Sequence, residues 1–330
     1  MKENIKKLWE LIKKSNKILL INHIRMDMDA FWSLSAIYDI LKQLWKDVKA
    51  INDEKPLDNY SFTWYNEIIE PELNIKEFTP ELIISFDAAS LEQLWNSYKN
   101  NIDIFGNTQF VVIDHHKTNP WFGKINIINP NYSSTCELTY DIMNQIDFLK
   151  YMTPKIATSL LSWIYTDTNI FYNSNTTANT HFVAGKLLEA WADFRKPYFE
   201  FYKKKTFEQS KLWWEVLANK MNISKNWKIV WATIPKSLFE KVWAHDRQLT
   251  WLISEFFANI EWVEICFISH EIDWNLVKTS FRSTIQYDTS MIASFFWWWW
   301  HKQAAWFSST KSLKEIEKEI LNKIKEEYDL

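Results

Sequence analysis

Val111-Val112-Ile113-Asp114-His115-His116 is the stretch on which the fold prediction rests. Its three apolar residues, mostly β-branched, indicate the end of a buried strand. A carboxylate and two imidazoles follow at once, at the carboxyl end of that strand. Open α/β sheets bind their ligands at this edge, and a divalent-metal or phosphate site needs these side chains. Because Asp-His-His also occurs in solvated loops, other parts of the chain must show whether it forms a functional site.

Polar residues also follow other predicted secondary-structure elements. The apolar runs Lys17–Asn22 and Leu82–Phe86 predict buried strands. The first leads into the polar stretch 23–29 and then a helix, which is the βα order of a parallel sheet. The second ends at Asp87, and Asp167 follows a later predicted helix. Since parallel strands end at one edge, these groups can converge there and hold two cations that act in phosphoryl transfer.

Length and composition favour a two-domain α/β protein. The chain has 330 residues, and its hydrophobic content of 47% is ample for a core. We expect a mainly parallel sheet in a catalytic domain at 1–192 and a charged connector helix at 193–222. A smaller α/β domain at 223–330 is expected to face the first across a cleft.

Net charge and cysteine content indicate which partners and which cellular compartment to expect. A net charge of −3 predicts no strong bulk attraction to nucleic acid or membrane, so local groups must hold a polyanionic substrate. Two cysteines, Cys136 and Cys266, fit a reducing compartment, and we expect a cytoplasmic protein. The first 14 residues lack the apolar core of a signal peptide. No apolar run reaches the roughly 18 residues that span a bilayer.

Tryptophan and glycine occur in abnormal numbers. The chain has 21 Trp and 3 Gly, whereas an average composition of about 7% gives roughly 23 Gly. Trp45 and Trp191 directly follow predicted helices, where a C-terminal glycine belongs. Residues 297–300 are four consecutive Trp, which no folding principle requires. Our hypothesis is that most Trp letters stand for Gly, as when UGA codons that encode glycine are translated as tryptophan.

A truly tryptophan-rich protein is the alternative. Such a chain could be a non-enzymatic module that stacks single-stranded bases on its indoles. The net charge of −3 opposes this interpretation, and the acids and imidazoles would have no use in it. The codons distinguish the two, because UGG at these positions would exclude recoding.

Four motifs in chain order resemble those of the DHH phosphoesterase superfamily. They are His23-x-x-x-Asp27-x-Asp29, the lone Asp87 after a strand, Asp114-His115-His116 and Thr166-Asp167-Thr168. With Trp read as Gly, residues 298–307 are similar to the Gly-Gly-Gly-His-Lys-x-Ala-Ala-Gly-Phe stretch of the DHH-associated C-terminal domain. Met28 and Asn169 depart from the family pattern, because each stands where glycine is usual.

The resemblance implies a metal-dependent phosphoesterase of the short branch, similar to nanoRNases and phosphatases of 3′-phosphoadenosine 5′-phosphate (pAp). Its substrates would be short RNA, other oligonucleotides or nucleotides such as pAp. Phosphodiesterases of cyclic or linear dinucleotides (the c-di-AMP and pApA type) remain an alternative. No membrane partner is implied, and a homodimer, common in such families, is left open.

The resemblance also implies a role for each matching residue. Two divalent cations, with manganese favoured, would bind at His23, Asp27, Asp29, Asp87, His115 and Asp167. Asp87 would bridge them. The catalytic positions would be His116, as general acid or phosphate contact, and Asp114, which orients a ring. The substrate phosphate would meet Arg282, Ser283, His301 and Lys302.

Overall fold

The structure, a computed structural model, describes residues 1–24, 26–56, 62, 65, 67–71, 73–249, 251–272, 276–296 and 302–330. It divides into two compact units, Met1–Lys204 and Lys205–Leu330, each described by itself below. Within the described ranges, no helix combines the length and apolarity that crossing a bilayer requires.

The first unit is built on a five-stranded parallel sheet. Its strands, in the spatial order β2-β1-β3-β4-β5, are β1 (Lys17–Asn22), β2 (Asp47–Ile51), β3 (Leu82–Phe86), β4 (Gln109–Asp114) and β5 (Ile125–Ile128). Alternate residues of β1 join different apolar clusters, with Ile18 and Leu20 in one and Leu19 and Ile21 in the other. The sheet is therefore covered on both faces, as continuous apolar strands require.

Nine α-helices accompany this sheet among the described residues. They are α1 (Lys2–Lys14), α2 (Met28–Gln43), α3 (Ile75–Phe78), α4 (Trp95–Lys99), α5 (Ile102–Asn107), α6 (Thr135–Gln145), α7 (Pro154–Asp167), α8 (Ala178–Glu189) and α9 (Arg195–Tyr198). Helix α2 begins earlier than the apolar periodicity predicts, because the side chain of Asp27 caps it by accepting from the backbone N–H groups of Asp29 and Ala30. Helix α7 extends through Asp167, which therefore ends a helix rather than following one.

The register of the sheet brings the predicted site residues to one edge. Asn22 of β1 pairs with Phe86 of β3, and Phe86 pairs with Ile113 of β4. The next residue on each strand is His23, Asp87 or Asp114, so the three stand in a row across neighbouring strands. This is the carboxyl edge at which the sequence predicts convergence.

The second unit contains a five-stranded mixed sheet in the order β10-β9-β8-β7-β6. Its strands are β6 (Met221–Ile223), β7 (Ile229–Ile234), β8 (Ile265–Ile272), β9 (Leu276–Ser283) and β10 (Trp306–Ser309), and only β7 and β8 pair in parallel. Its described α-helices are α10 (Phe207–Asn219), α11 (Lys236–Val242), α12 (Leu252–Glu255), α13 (Thr289–Phe295) and α14 (Leu313–Tyr328). The two-unit α/β architecture predicted from sequence is confirmed.

The predicted single connector helix at 193–222 is wrong. Helix α9 continues into a π-helical turn, Phe199–Lys203, and the helical path then breaks before α10 begins at Phe207. The break has a local cause, because the Thr206 hydroxyl accepts from the N–H of Gln209 at 3.1 Å and caps a new helix. The division between the two compact units falls at this break, between Lys204 and Lys205.

Backbone angles support the glycine hypothesis at particular tryptophans. Among the described residues, eight Trp have φ between 47° and 74°: Trp45, Trp95, Trp121, Trp191, Trp227, Trp243, Trp251 and Trp262. Residues other than glycine rarely adopt this left-handed conformation, because it costs them roughly 1–2 kcal/mol. Trp32 lies inside α2 and Trp306 in β10, so φ does not favour glycine there. The run 297–300 lies outside the described residues.

Candidate metal centre

The six predicted metal ligands converge in the first unit. His23 follows β1, Asp87 follows β3, His115 follows β4, and Asp27, Asp29 and Asp167 come from the ends of α2 and α7. These residues and His116 form three sets in which the potential ligand atoms lie within 4.8 Å of one another. The sets are His23, Asp27 and Asp87; Asp29, His115 and Asp167; and Asp87, His115 and His116. Asp87 and His115 each belong to two sets, so these two residues connect the three groups of potential ligands.

Distances within the cluster suit ligands around a shared ion. His23 Nε2 lies 3.7 Å from both Asp27 Oδ1 and Asp87 Oδ2. His115 Nε2 lies 3.8 Å from Asp29 Oδ2, 3.7 Å from Asp87 Oδ1 and 3.9 Å from Asp167 Oδ2. These separations are too long for hydrogen bonds. Ligands that each sit about 2.1 Å from one ion are about 3.0–4.2 Å apart.

Backbone carbonyls select the ring nitrogen that each ligand histidine presents. His23 Nδ1 lies 2.8 Å from the carbonyl oxygen of Ile24, and His115 Nδ1 lies 3.4 Å from that of Tyr132. An Nδ1–H that donates to a carbonyl leaves Nε2 unprotonated on a neutral ring. In both residues Nε2 is the atom that faces the carboxylates.

Asp87 occupies the middle of the cluster in a constrained conformation. It is 2% exposed, and its φ of 56° is left-handed. Its N–H donates to the carbonyl of Ile113 at 2.9 Å, which fixes the turn at the end of β3. An unfavourable φ that the surroundings hold in place is typical of functional positions.

The carboxylates of the cluster repel one another. Burial, together with the charges of Asp87, Asp167 and Asp27, raises the pKa of Asp29 well above its usual value. Burial and the charges of Asp27 and Asp87 raise the pKa of Asp167 in the same way. Because each shift disfavours the ionised form, the site gains most from positive charge placed between its acids.

Asp114 and His116 form a pair beside this cluster. His116 Nδ1 lies 2.7 Å from Asp114 Oδ1, and Asn119 Nδ2 donates to Asp114 Oδ2 at 2.6 Å. Burial opposes the charged imidazole, but the Asp114 hydrogen bond and the charge of Asp87 outweigh it and raise the pKa of His116 to about 9. His116 is therefore suited to hold a proton at neutral pH.

The donor set fits hard divalent cations. Imidazole nitrogens and carboxylate oxygens suit manganese, magnesium or cobalt. Cys136 lies nearby, with Sγ 3.8 Å from the carbonyl oxygen of Asp29. Burial and the Asp29 charge raise the pKa of this thiol well above its usual value, which favours its protonated form.

The predicted substrate-binding residues lie in the second unit. Arg282 and Ser283 end β9. Arg282 donates from Nε to Ser254 Oγ at 3.1 Å, and Ser283 Oγ donates to the carbonyl of Tyr287 at 2.7 Å. Lys302 is exposed, and its carbonyl accepts from the N–H of Thr289 at 2.6 Å. His301 lies outside the described residues.

Comparison with known families identifies part of the first unit. Residues 17–165 match the family model described as the DHH family, N-terminal domain. The matched segment includes the motifs at 23–29, 87 and 114–116, while Asp167 falls just beyond its end.

A curated relative and a solved structure are also similar to this chain. The "Bifunctional oligoribonuclease and PAP phosphatase NrnA" of Mycoplasma genitalium is 30% identical over 195 residues, which are 56% of this chain and 56% of the relative. The chain thus matches little more than half of that protein's length. A crystal structure of an exopolyphosphatase-related protein from Bacteroides fragilis has a TM-score of 0.89 and 21% identity, and covers 99% of this chain and 97% of that one.

A second solved structure shows a more distant likeness in fold. RecJ from Thermus thermophilus, solved in complex with Mn²⁺, has a TM-score of 0.51 and 13% identity, and covers 98% of this chain and 54% of that one. Identities of 21% and 13% establish the fold alone.

Several residues of the site were missed by the sequence analysis. Asn119 holds Asp114, and Thr135 Oγ1 donates to Asp87 Oδ1 at 2.8 Å. Glu137, two residues after Thr135, is almost fully buried. The Ser134-x-x-Glu137 spacing, typical of a helix N-terminus, was the available signal for the start of α6. It gave no indication that this helix meets the carboxylates.

Proposed function

We propose that this protein is a two-metal phosphoesterase that hydrolyses short oligoribonucleotides, pAp or both. The observation that carries the proposal is the convergence of five carboxylate and imidazole side chains around the buried Asp87, which is the sixth predicted ligand. The DHH-family segment and the relative named as an oligoribonuclease and PAP phosphatase support this reaction class.

Two groups of ligands would hold the cations. His23, Asp27 and Asp87 form one group, and Asp29, His115 and Asp167, with Asp87 shared, form the other. When bound, two divalent cations supply Lewis-acid charge that stabilises the attacking and leaving oxygens of phosphoryl transfer. Among the cations that suit this donor set, we propose manganese because the resemblance to the DHH phosphoesterases implies it. The elevated pKa values of Asp29 and Asp167 support a site that binds cations, because a cation would stabilise both ionised carboxylates.

His116 would act as the general acid. Its Nδ1 is held by Asp114, which leaves Nε2 free to protonate a leaving oxygen or to contact a phosphate oxygen. Asn119 fixes the second oxygen of Asp114, so the ring orientation depends on a chain of two hydrogen bonds.

The second unit would bind the substrate phosphate. Arg282 is a suitable contact because its planar guanidinium pairs bidentately with phosphate. It lies at the end of β9 beside Ser283, and Lys302 and His301 belong to the stretch that resembles the family's glycine-rich loop. Two free, buried cysteines support a reducing compartment such as the cytoplasm.

Metal dependence and substrate choice test the proposal in one experiment. Purified protein is treated with a chelator, reloaded with Mn²⁺, and assayed on pAp, a short oligoribonucleotide, and cyclic and linear dinucleotides. We expect the chelator to abolish turnover, Mn²⁺ to restore it, and Asp87→Ala to remain inactive after reloading. Preferred turnover of a dinucleotide would replace the proposed substrate class. Binding of single strands without any hydrolysis would favour the aromatic module instead.

A further inference from the structure

The amino terminus of α6 contacts the centre of the carboxylate cluster. The N–H groups of Thr135 and Cys136 donate to Oδ2 and Oδ1 of Asp29 at 2.6 and 2.8 Å. The Thr135 hydroxyl donates to Asp87 Oδ1 at 2.8 Å. One residue, Thr135, therefore contacts two of the proposed ligands. Both contacts are long-range, over 106 and 48 residues of sequence.

Glu137 ties this helix start to its surroundings. The residue is 1% exposed, and its carboxylate accepts four hydrogen bonds. The donors are Ser133 N at 3.0 Å, Ser133 Oγ, Asn179 Nδ2 at 2.7 Å and Thr180 Oγ1 at 3.0 Å. A buried carboxylate with this many donors is a rigid anchor, because any displacement leaves a charge or a donor unpaired.

The same network reaches the loop after Asp167. Asn175 Nδ2 donates to the carbonyl of Ser133 at 3.1 Å and to that of Asp167 at 3.2 Å. The segment 133–135, held by Glu137, is thus connected with the carboxylates of Asp29 and Asp87 and with the backbone of Asp167.

We propose that Thr135 is a positioning residue for Asp87 and that Glu137 holds Thr135 in place. A bridging carboxylate must direct one oxygen toward each cation, and the Thr135 hydroxyl fixes rotation of the Asp87 carboxylate by occupying one side of Oδ1. Oδ2 then faces His23 at 3.7 Å, while Oδ1 faces His115 at 3.7 Å. This inference rests on the proposed metal-dependent function.

Thr135→Val tests the role of the hydroxyl, because valine lacks the hydroxyl but keeps the shape of threonine. Thr139→Val is the matched control, because Thr139 lies one turn further along α6, is fully buried, and its hydroxyl has no hydrogen-bond partner. Mn²⁺ affinity of the full-length protein is measured from free Mn²⁺ by electron paramagnetic resonance. We expect Thr135→Val to weaken binding about 10- to 100-fold, as loss of an outer-sphere partner does. Thr139→Val and Thr135→Ser are expected to bind like the wild type.

Turnover adds a second measurement. In Thr135→Val, excess Mn²⁺ is expected to recover much of the lost kcat, with little change in KM for substrate. Glu137→Gln is expected to weaken Mn²⁺ binding in the same direction, because one of its four donors then meets an amide N–H. Circular dichroism confirms folding, and Thr135→Ala compared with Thr135→Ser tests the hydroxyl if the valine variant fails to fold.

The outcomes separate this inference from the proposed function. A wild-type protein that binds no Mn²⁺ and no other divalent cation would overturn the function. A wild type that binds Mn²⁺, with Thr135→Val equal to Thr139→Val, would overturn the role of Thr135. Normal Mn²⁺ affinity in Glu137→Gln would overturn the role of Glu137.

Discussion

Asp114 Oδ1 lies 2.7 Å from Nδ1 of His116, and this contact determines which nitrogen of the His116 ring faces outward. His116 therefore differs from His23 and His115, whose Nδ1 atoms face backbone carbonyls and whose Nε2 atoms face the acids. The same motif thus contains one imidazole whose Nε2 faces the carboxylates and a neighbouring imidazole oriented by a carboxylate.

Asp114→Asn is predicted to lower kcat by roughly 10²-fold, the lower range of a general-acid contribution. The amide removes the negative charge that helps to hold the His116 pKa at about 9, so that pKa falls toward about 6.5. The alkaline limb of the kcat profile, where protonated His116 is lost, is then expected to move to lower pH. Asn119→Ala keeps the Asp114 charge but removes its second hydrogen bond, so it is expected to lower kcat while moving the alkaline limb less than Asp114→Asn does. An unmoved alkaline limb in Asp114→Asn would contradict the role given to His116.

Asp87→Ala and Arg282→Ala are predicted to fail in different ways. Loss of the bridging carboxylate should remove metal and activity together. Loss of the guanidinium should leave metal content intact and raise KM about 10- to 100-fold, which corresponds to about 1.5–3 kcal/mol for a charged hydrogen bond. Metal analysis of both variants beside their kinetics makes the comparison. Equal metal loss in both would refute this division of roles.

The metal-free protein is predicted to lose stability as pH rises from about 6.5 to 9. The folded state raises the pKa of His116 to about 9, above the unfolded value of about 6.5. The folded state therefore binds the extra proton, and this stabilisation is complete below the unfolded pKa and is lost through the folded one. Thermal unfolding with chelator present should show a shallower pH dependence in His116→Gln. The exposed His245 provides the control, and His245→Gln should follow the wild type.

Much of the fold was predictable because the buried strands are short and continuously apolar. Lys17–Asn22 and Leu82–Phe86 were predicted with the bounds that the structure gives them. Their parallel register then brings His23 and Asp87 together without further information. The connector was mispredicted because its charge pattern suits a helix throughout, while the Thr206 cap that interrupts it is a local signal.

The polar support of the site was not predictable in the same way. Thr135 meets Asp87 across 48 residues, and Glu137 meets Thr180 across 43. Neither contact follows from periodicity, because both depend on how α6 packs against the sheet edge. Sequence patterns thus indicate which residue types lie at the carboxyl edge of the sheet. Tertiary packing determines which polar residues hydrogen-bond to them and fix their positions.

Tryptophans in left-handed turns provide the last prediction. Trp45 and Trp191 directly follow the cap residues of α2 and α8, and Trp243 directly follows the last residue of α11, with φ of 59°, 63° and 64°. The two hydrogen bonds of a Schellman motif close each turn, for example Trp45 N to Lys42 O and Lys46 N to Leu41 O, both 3.0 Å. Glycine is the usual residue there because it has no Cβ. All three indoles are more than 80% exposed, so they add no core packing in return.

We therefore expect the natural protein to carry glycine at these three positions and across 297–300. Peptide mass spectrometry of the native protein reads each position, since a glycine peptide is lighter by the whole indole-bearing side chain. Trp213 is the internal comparison, because it is buried in the second core and its Nε1 donates to the carbonyl of Gln248 at 2.7 Å. A protein made with glycine at the three helix ends should unfold at higher temperature than one made with tryptophan, since each left-handed non-glycine residue costs roughly 1–2 kcal/mol. Intact indoles at all three helix ends of the native protein would exclude recoding, and the turns would then be strained in the molecule that the cell makes.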